Sequence, residues 1–478
     1  MAKQLMFSAP SSGSGKTTIT CGILWLMKKK GYKLAACKCG PDYIDPMFHS
    51  RVLGIPTGNL DGFFLDEEEL LQVAARYGRD VELLILEGAM GYYDGIGGTC
   101  RASSFEVARA TKTPVILIVD CQGMANSVLA LLKGFCQYKK DSWIEGVIFN
   151  RLAPSLYESL KEQTEEMGIK VCGYVPKLPE ECILQSRHLG LVTAGEIKNF
   201  QEKMDKLSQI LSETLDFNGI IELAKGREKN IVSGDRNSET EGERNDVASI
   251  TDQKPKDSVC KKIKINSKKI KVAVAKDEAF CFLYEDNLEI LKSYGCELLY
   301  FSPLHDKALP DGCQGIFLSG GYPELYAEEL SKNIEMRQAV KKAVQDGICC
   351  FAECGGYLYL HSDLQGEDGK YYPMAGVLSG KAWRETRLKH FGYIYTTLQK
   401  DGLLGKKGMT YKAHEFHYYH SDQKEEAMLA EKAADSKKNW MAGVMTDNLY
   451  AGFPHYYFAG NEKLVENLIS CMCNSAHR

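Results

Sequence analysis

Two α/β units in tandem, each built on a mostly parallel sheet, are the architecture predicted for this 478-residue chain. Three observations carry that expectation. Short apolar runs alternate with helix-length amphipathic stretches through most of the sequence. A Gly-rich loop ending in Gly-Lys-Thr follows the first of those runs, and a charged stretch without aromatic residues divides the chain in two.

The first unit opens with the apolar runs LMFSA, KLAAC, ELLILEG, PVILIVD, EGVIFN and KVCGYV. Runs of this length, spaced by helical stretches, imply repeated βαβ units with both faces of the sheet covered. From Asn218 the composition turns polar and charged, and KGREKNIVSGDRNSETEGERNDVASITDQKPKDSVCKKIKINSKK cannot bury enough apolar area to offset its chain entropy. The expected layout is therefore a first domain over 1–217, a flexible linker over 218–269 and a second domain over 270–478. In that second domain the βα rhythm resumes with IKVAVA, ELLYFS, QGIFLSGG and ICCFAE.

Composition narrows the function. A formal net charge of −4 gives no global attraction to nucleic acid or an anionic membrane surface. The 17 cysteines are odd in number and lack the two-residue spacing of zinc knuckles, so most read as small buried hydrophobes in a reducing compartment. MAKQLMFSAP runs into the Gly-rich loop without a signal-like segment, which predicts a cytoplasmic protein with no membrane partner. A homodimer is left open.

Chemistry concentrates at four places. The loop Ala9 to Thr18, APSSGSGKTT, follows a strand and opens a helix, so its backbone N–H groups can cradle phosphates. Gly13, Gly15, Lys16, Thr17 and Thr18 are its expected nucleotide contacts, with Thr17 also on Mg²⁺; Pro10 stands where the strict pattern has glycine. Next, KCGPDYIDP leaves Asp42 and Asp45 on a loop at the carboxyl end of the sheet, where α/β sheets bind ligands. Glu87 ends the third apolar run, and Asp42 and Glu87 are expected to serve Mg²⁺.

The fourth place is FAECGGYLYL. A strand, then Cys354, then Gly355 and Gly356 is the pattern of a sharp strand-to-helix turn that exposes a nucleophile. The Gly355 N–H can face a developing oxyanion, with a second donor from the loop around Gly321. Candidate bases are His414 and His417 in AHEFHYY and His455 in YAGFPHYYF, of which His455, after a strand near the C-terminus, fits best.

The motifs SSGSGKTT, KCGPDYIDP, LEGAMGYYDG, RHLGL, SGGYPELYA, AECGGYLYL and HEFHYY, in this order over almost the whole chain, resemble the cobyrinic acid a,c-diamide synthase family. That resemblance implies a dethiobiotin-synthetase-like P-loop domain followed by a class I glutamine amidotransferase domain. It implies amidation of the a and c acetate groups of cobyrinic acid, or a related tetrapyrrole, with glutamine and ATP·Mg²⁺. Carried over, Lys16 and Thr17 resemble phosphate and Mg²⁺ contacts, Asp42, Asp45 and Glu87 the acids of the synthetase centre, Cys354 the glutaminase nucleophile and His455 its base. Class I amidotransferases carry Glu two residues after that His; here the position is Tyr457, which leaves the third triad member open. Alternative substrates are hydrogenobyrinic acid and nickel-sirohydrochlorin. A nucleotide switch without glutaminase activity is the reading from a different class.

Overall fold

The computed structural model describes residues 2–184, 194–225, 269–388 and 390–475. The RHLGL motif at 187–191 and the span 226–268 lie outside the described residues. In the first domain the strands are β1 (Lys3–Ser8), β2 (Leu34–Cys39), β3 (Thr57–Leu60), β4 (Leu83–Glu87), β5 (Val115–Asp120), β6 (Ile144–Asn150) and β7 (Lys170–Val175). They form one parallel sheet in the order β3-β2-β4-β1-β5-β6-β7. Six are the apolar runs read from the sequence. The seventh, β3, has the sequence TGNL and carries no strand signal of its own.

Side chains along these strands alternate between two cores, as a pleated strand covered on both faces requires. Ile116 and Ile118 enter one core, whereas Val115, Leu117 and Val119 enter the other. The helices are α1 (Lys16–Lys29), α2 (Ile44–Phe48), α3 (Glu67–Tyr77), α4 (Ser104–Thr111), α5 (Ser127–Tyr138), α6 (Tyr157–Glu166), α7 (Ala194–Thr214) and α8 (Phe217–Ala224). A Cβ at Gly22 of α1 would lie 2.6 Å from Leu211 Cδ1, so glycine lets α7 lie directly on α1.

The composition-based boundary at 217 requires correction. FNGIIELA forms α8, capped by the Asp216 side chain on the Gly219 N–H, with Ile220 and Ala224 buried in the core. Its apolar residues at i, i+3, i+4 and i+7 are a helical stripe, which outweighs the polar character of the residues after it. The first domain therefore reaches Lys225.

The second domain begins with β8 (Ile270–Ala275), β9 (Phe280–Phe282), α9 (Glu285–Ser293), β10 (Cys296–Phe301), β11 (Gly315–Leu318) and β12 (Gly320–Gly321). It continues with α10 (Ala327–Lys332), α11 (Ile334–Gln345), β13 (Cys349–Glu353) and α12 (Gly355–Leu360). Then come the short strands β14 (Asp363–Gln365), β15 (Tyr371–Pro373) and β16 (Lys381–Arg384), the long hairpin β17 (His390–Leu398) and β18 (Thr410–His417), and β19 (Tyr419–Ser421). The chain closes with β20 (Met428–Lys432), β21 (Asp435–Ala442), β22 (Val444–Met445), β23 (Leu449–Gly452) and α13 (Glu462–Ser475).

The main sheet here runs β10-β8-β11-β13-β23-β22, parallel except for the edge strand β22. A separate antiparallel sheet, β18-β17-β20-β21, lies against the first domain through β17 and β18. Tyr284 and Tyr457 of the second domain belong to the same buried cluster as Leu60, Phe63 and Phe64 of the first. The two domains thus share an apolar interface.

Candidate active sites

The phosphate-type loop is built as its glycines predict. Gly13 and Gly15 take φ of +80° and +84°, where a side chain is strained, and Gly15 starts α1. A Cβ on Gly15 would also meet Asn150 Nδ2 at 2.4 Å, and that amide donates to the Ser14 carbonyl at 2.8 Å. Thr18 is buried in the first turn of α1. Lys16 is buried, and its Nζ donates to the Met90 carbonyl at 2.9 Å. Burial, reinforced by Lys38, lowers the Lys16 pKa to about 8.

Three expected residues converge beside this loop. Thr17 Oγ1 donates to Glu87 Oε1 at 2.7 Å and lies 3.5 Å from Asp45 Oδ2. Asp45 is not on a loop, as the prolines around it suggested; it sits in the first turn of α2, which begins before Pro46 because proline fits an early helical position. Asp42 borders the same cluster beside Asp45, and its Oδ1 accepts the Ile44 N–H at 2.8 Å and closes the turn into α2. Burial, then the charge of Asp45, pushes its carboxyl up to about 7.

The group that organises these acids, Lys38, was not singled out in the sequence. From the penultimate position of β2 its buried Nζ contacts Asp45 Oδ2 at 2.6 Å and Glu87 Oε1 at 2.8 Å. Burial opposes its charge, but Asp45 and Glu87 outweigh that cost and hold its pKa above the ordinary lysine value. The signal was a lysine inside an otherwise apolar strand, LAACKC. His49 backs the cluster, its Nε2 3.5 Å from Glu87 Oε2 and 3.3 Å from Cys21 Sγ; burial lowers its pKa, so it is neutral.

The second centre forms where β13 ends. Cys354 has φ +46° and ψ −98°, a strained conformation for a residue with a Cβ, and it caps α12. Its N–H bonds the Gly452 carbonyl of the neighbouring strand at 2.7 Å, which anchors the elbow to the sheet. The packing requires glycine on the other side: a Cβ at Gly355 would lie 2.8 Å from the Gly321 nitrogen and 3.0 Å from Pro323. The two expected oxyanion donors are thus neighbours.

His455 reaches the same elbow from the loop after β23. A Cβ added at Gly320 would meet its Cε1 at 2.6 Å. Burial disfavours a charged imidazole, yet the Cys354 and Glu353 side chains outweigh it and push the His455 pKa up to about 10. Glu353, the residue before Cys354, is buried; its Oε1 accepts the Tyr456 N–H at 2.8 Å and its Oε2 lies 3.8 Å from His455 Nδ1. Among the described residues that nitrogen has no hydrogen-bond partner.

Tyr457 explains itself by pointing elsewhere. Its hydroxyl donates to Asp286 Oδ2 at 2.5 Å and lies 3.3 Å from the Asn59 carbonyl of the first domain. The competing histidines are also accounted for. His414 pairs with His455 through backbone bonds of 3.0 and 2.9 Å, and burial followed by the His455 charge lowers its pKa to about 3. His417 stacks on Phe453 at 3.7 Å and bonds the Tyr419 carbonyl through Nδ1 at 2.7 Å.

Tyr43 links the two centres. It lies between Asp42 and Asp45 in sequence, while its buried ring stands 5.3 Å from that of His455 and packs on Phe282 and Tyr284 at 5.2 and 4.2 Å.

Comparison with known proteins gives the class first. Residues 5–192 match the CobQ/CobB/MinD/ParA nucleotide binding domain, and residues 271–463 match the CobB/CobQ-like glutamine amidotransferase domain. The pairing defines a glutamine-dependent ligase. The chain belongs to the cobyrinate a,c-diamide synthase family. It is 36% identical over 469 residues to the cobyrinate a,c-diamide synthase of Listeria innocua, covering 97% of this chain and 98% of that one. The Priestia megaterium synthase is 34% identical, with 100% and 98% covered, and that of Caldanaerobacter subterraneus 36% identical, with 95% of each covered.

Proposed function

We propose that the protein amidates the a and c acetate carboxylates of cobyrinic acid, using ATP to activate each carboxylate and glutamine as the source of nitrogen. The observation that carries this reading is Tyr43, whose flanking residues Asp42 and Asp45 border one centre while its ring packs on the histidine of the other.

A carboxylate is a poor acyl donor, so its oxygen first takes the γ-phosphoryl of ATP, giving an acyl phosphate and ADP. Gly13, Gly15, Lys16, Thr17 and Thr18 hold the triphosphate, and Lys16 stabilises the charge that builds during transfer. Thr17, Asp45 and Glu87 offer hard oxygen ligands for Mg²⁺, and Glu87 Oε2 is a buried atom without a hydrogen-bond partner among the described residues. Mg²⁺ held there would neutralise phosphate charge. Asp42, already committed to the Ile44 N–H, is better read as shaping the turn that presents Asp45.

In the glutaminase centre His455 takes the Cys354 proton, and the thiolate attacks the glutamine amide. The N–H groups of Gly321 and Gly355 receive the oxyanion, ammonia leaves with a proton from His455, and water hydrolyses the thioester to glutamate. Glu353 orients the imidazole from the side of Nδ1, the task that a glutamate at 457 would otherwise perform. Ammonia then displaces phosphate from the acyl phosphate, giving the amide. The Tyr43, Phe282 and Tyr284 rings keep bulk water from between the centres, so the amine is not lost by protonation.

The test supplies purified protein with ATP, glutamine and, in parallel, cobyrinic acid, hydrogenobyrinic acid or nickel-sirohydrochlorin, and identifies amides by mass. Cys354→Ala should lose glutamine-dependent product and keep product formation from ammonium salts. Amidation of only the metal-free or nickel macrocycle would replace the substrate assignment, and loss of both nitrogen sources in a folded Cys354→Ala would overturn the division of labour.

A further inference from the structure

We infer that the outer end of the β17–β18 hairpin is the platform on which the flat ring of the tetrapyrrole rests while one carboxylate arm enters the synthetase centre. The inference rests on the functional reading above.

The hairpin presents one continuous face. Tyr395 pairs with Lys412, Tyr393 with His414 and Phe391 with Phe416, and residues two apart along a strand share a side. The inner part of that face is the domain interface. Arg101 donates to the Tyr395 hydroxyl at 2.5 Å, Lys412 to the Phe64 carbonyl at 3.0 Å and the Tyr393 hydroxyl to Asp61 at 2.8 Å. One pair further out the first domain no longer covers the hairpin. Phe391 is 51% exposed, Phe416 48% and Tyr418 41%.

Phe391 and Phe416 are the only exposed phenylalanines among the described residues. They touch, with centroids 5.6 Å apart, and Tyr418 extends the cluster at 6.0 Å from Phe416. An uncovered aromatic cluster beside a domain junction is costly unless something covers it in use.

Its location picks the occupant. A Cβ at Gly40, the residue after β2, would lie 3.7 Å from the Tyr393 hydroxyl and 3.5 Å from Ala89, two residues beyond Glu87. The exposed aromatics therefore begin one strand pair away from the carboxyl ends of β2 and β4, which carry Lys38 and Glu87. Those groups are buried, so a broad ring system cannot lie against them. The ring has to stay outside, on a surface that suits a broad conjugated face.

The rim also offers a cation to a polycarboxylate: Lys432 Nζ donates to the Phe391 carbonyl at 2.9 Å. His414 beneath the cluster is neutral, so it adds no charge under the ring.

The experiment measures equilibrium binding of cobyrinic acid to the full chain by its visible absorption. The double variant Phe391→Ala/Phe416→Ala should raise its Kd by about tenfold or more, as loss of ring stacking does elsewhere, with the KM for ATP at saturating macrocycle little changed. Phe416→Trp keeps a flat ring in place; its added fluorescence should be quenched by cobyrinic acid with a Kd close to that of the unmodified protein. If the unmodified protein binds and amidates cobyrinic acid while the double variant binds it equally well, or the added emission of Phe416→Trp does not respond, the platform is wrong and the functional reading stands. If the double variant instead changes the sedimentation mass with Kd unaltered, the ledge is a contact between copies and the inference is overturned. Failure of the unmodified protein to bind or amidate cobyrinic acid would overturn the functional reading and the platform with it.

Discussion

Lys16 shows how a single burial decides chemistry. Its pKa of about 8 leaves the ammonium only partly protonated near that pH, because burial and Lys38 both disfavour its charge. A triphosphate placed against it would restore the charge. ATP binding at pH 8 is therefore expected to take up about half a proton, measured by calorimetry in buffers of different ionisation enthalpy, and Lys16→Met should abolish the uptake. His455 works in the opposite sense. Its folded pKa of about 10 lies above the unfolded value near 6.5, so its contribution to stability is full below about pH 6.5 and is lost as pH rises through 10. The difference in unfolding free energy between the unmodified protein and His455→Asn should shrink steadily over that window in urea titrations. A difference that grew with pH would mean the imidazole is neutral when folded.

At the scale of elements, the elbow between β13 and α12 is held by contact rather than by the helix alone. α12 has only six residues, and Cys354 keeps its strained backbone because the neighbouring strand, through Gly452, and the β12 loop leave it no other place. An added methyl at Gly355 would meet the Gly321 nitrogen, Pro323 and the Gly320 carbonyl carbon at 2.8, 3.0 and 3.2 Å, and two of these are backbone atoms that cannot turn aside. Gly355→Ala should consequently displace the Gly321 N–H and lower glutamine hydrolysis by about 10²-fold or more, the usual cost of losing an oxyanion donor. Ammonia-dependent amidation should persist in the same protein. Equal loss of both activities would show that the elbow also shapes the synthetase centre.

At the scale of the molecule, Asp286 is the pin between the domains. Buried in the first turn of α9, its carboxylate takes Arg76 and Tyr77 of the first domain on one oxygen and the Tyr457 hydroxyl of its own domain on the other. Removing it leaves a cation and two hydroxyls facing each other at a buried seam. Asp286→Ala should loosen the docking that keeps Tyr43 against His455. The expected result is leakage: more glutamine hydrolysed per amide formed, read by assaying glutamate and amide together. An unchanged ratio would show that the aromatic contacts of Tyr43, Phe282 and Tyr284 hold the two centres together without Asp286.

The two α/β units, the Gly-rich loop before α1 and the sharp strand-to-helix turn at Cys354 were legible in the sequence. Each of these is a local signal: six apolar runs of strand length, glycines at left-handed positions, and Cys354 set between a strand and two small residues. Thr17, Asp45, Glu87 and His455 could likewise be picked out one by one. That Lys38 holds the acids together, and that Glu353 stands at the imidazole where Tyr457 does not, became visible only in three dimensions. The same is true of α8 as part of the first domain and of the hairpin's aromatic end, uncovered beside the junction. These depend on contacts between residues far apart in the chain, and a lysine in an apolar strand or a glutamate before a cysteine has no meaning until the fold supplies its partner.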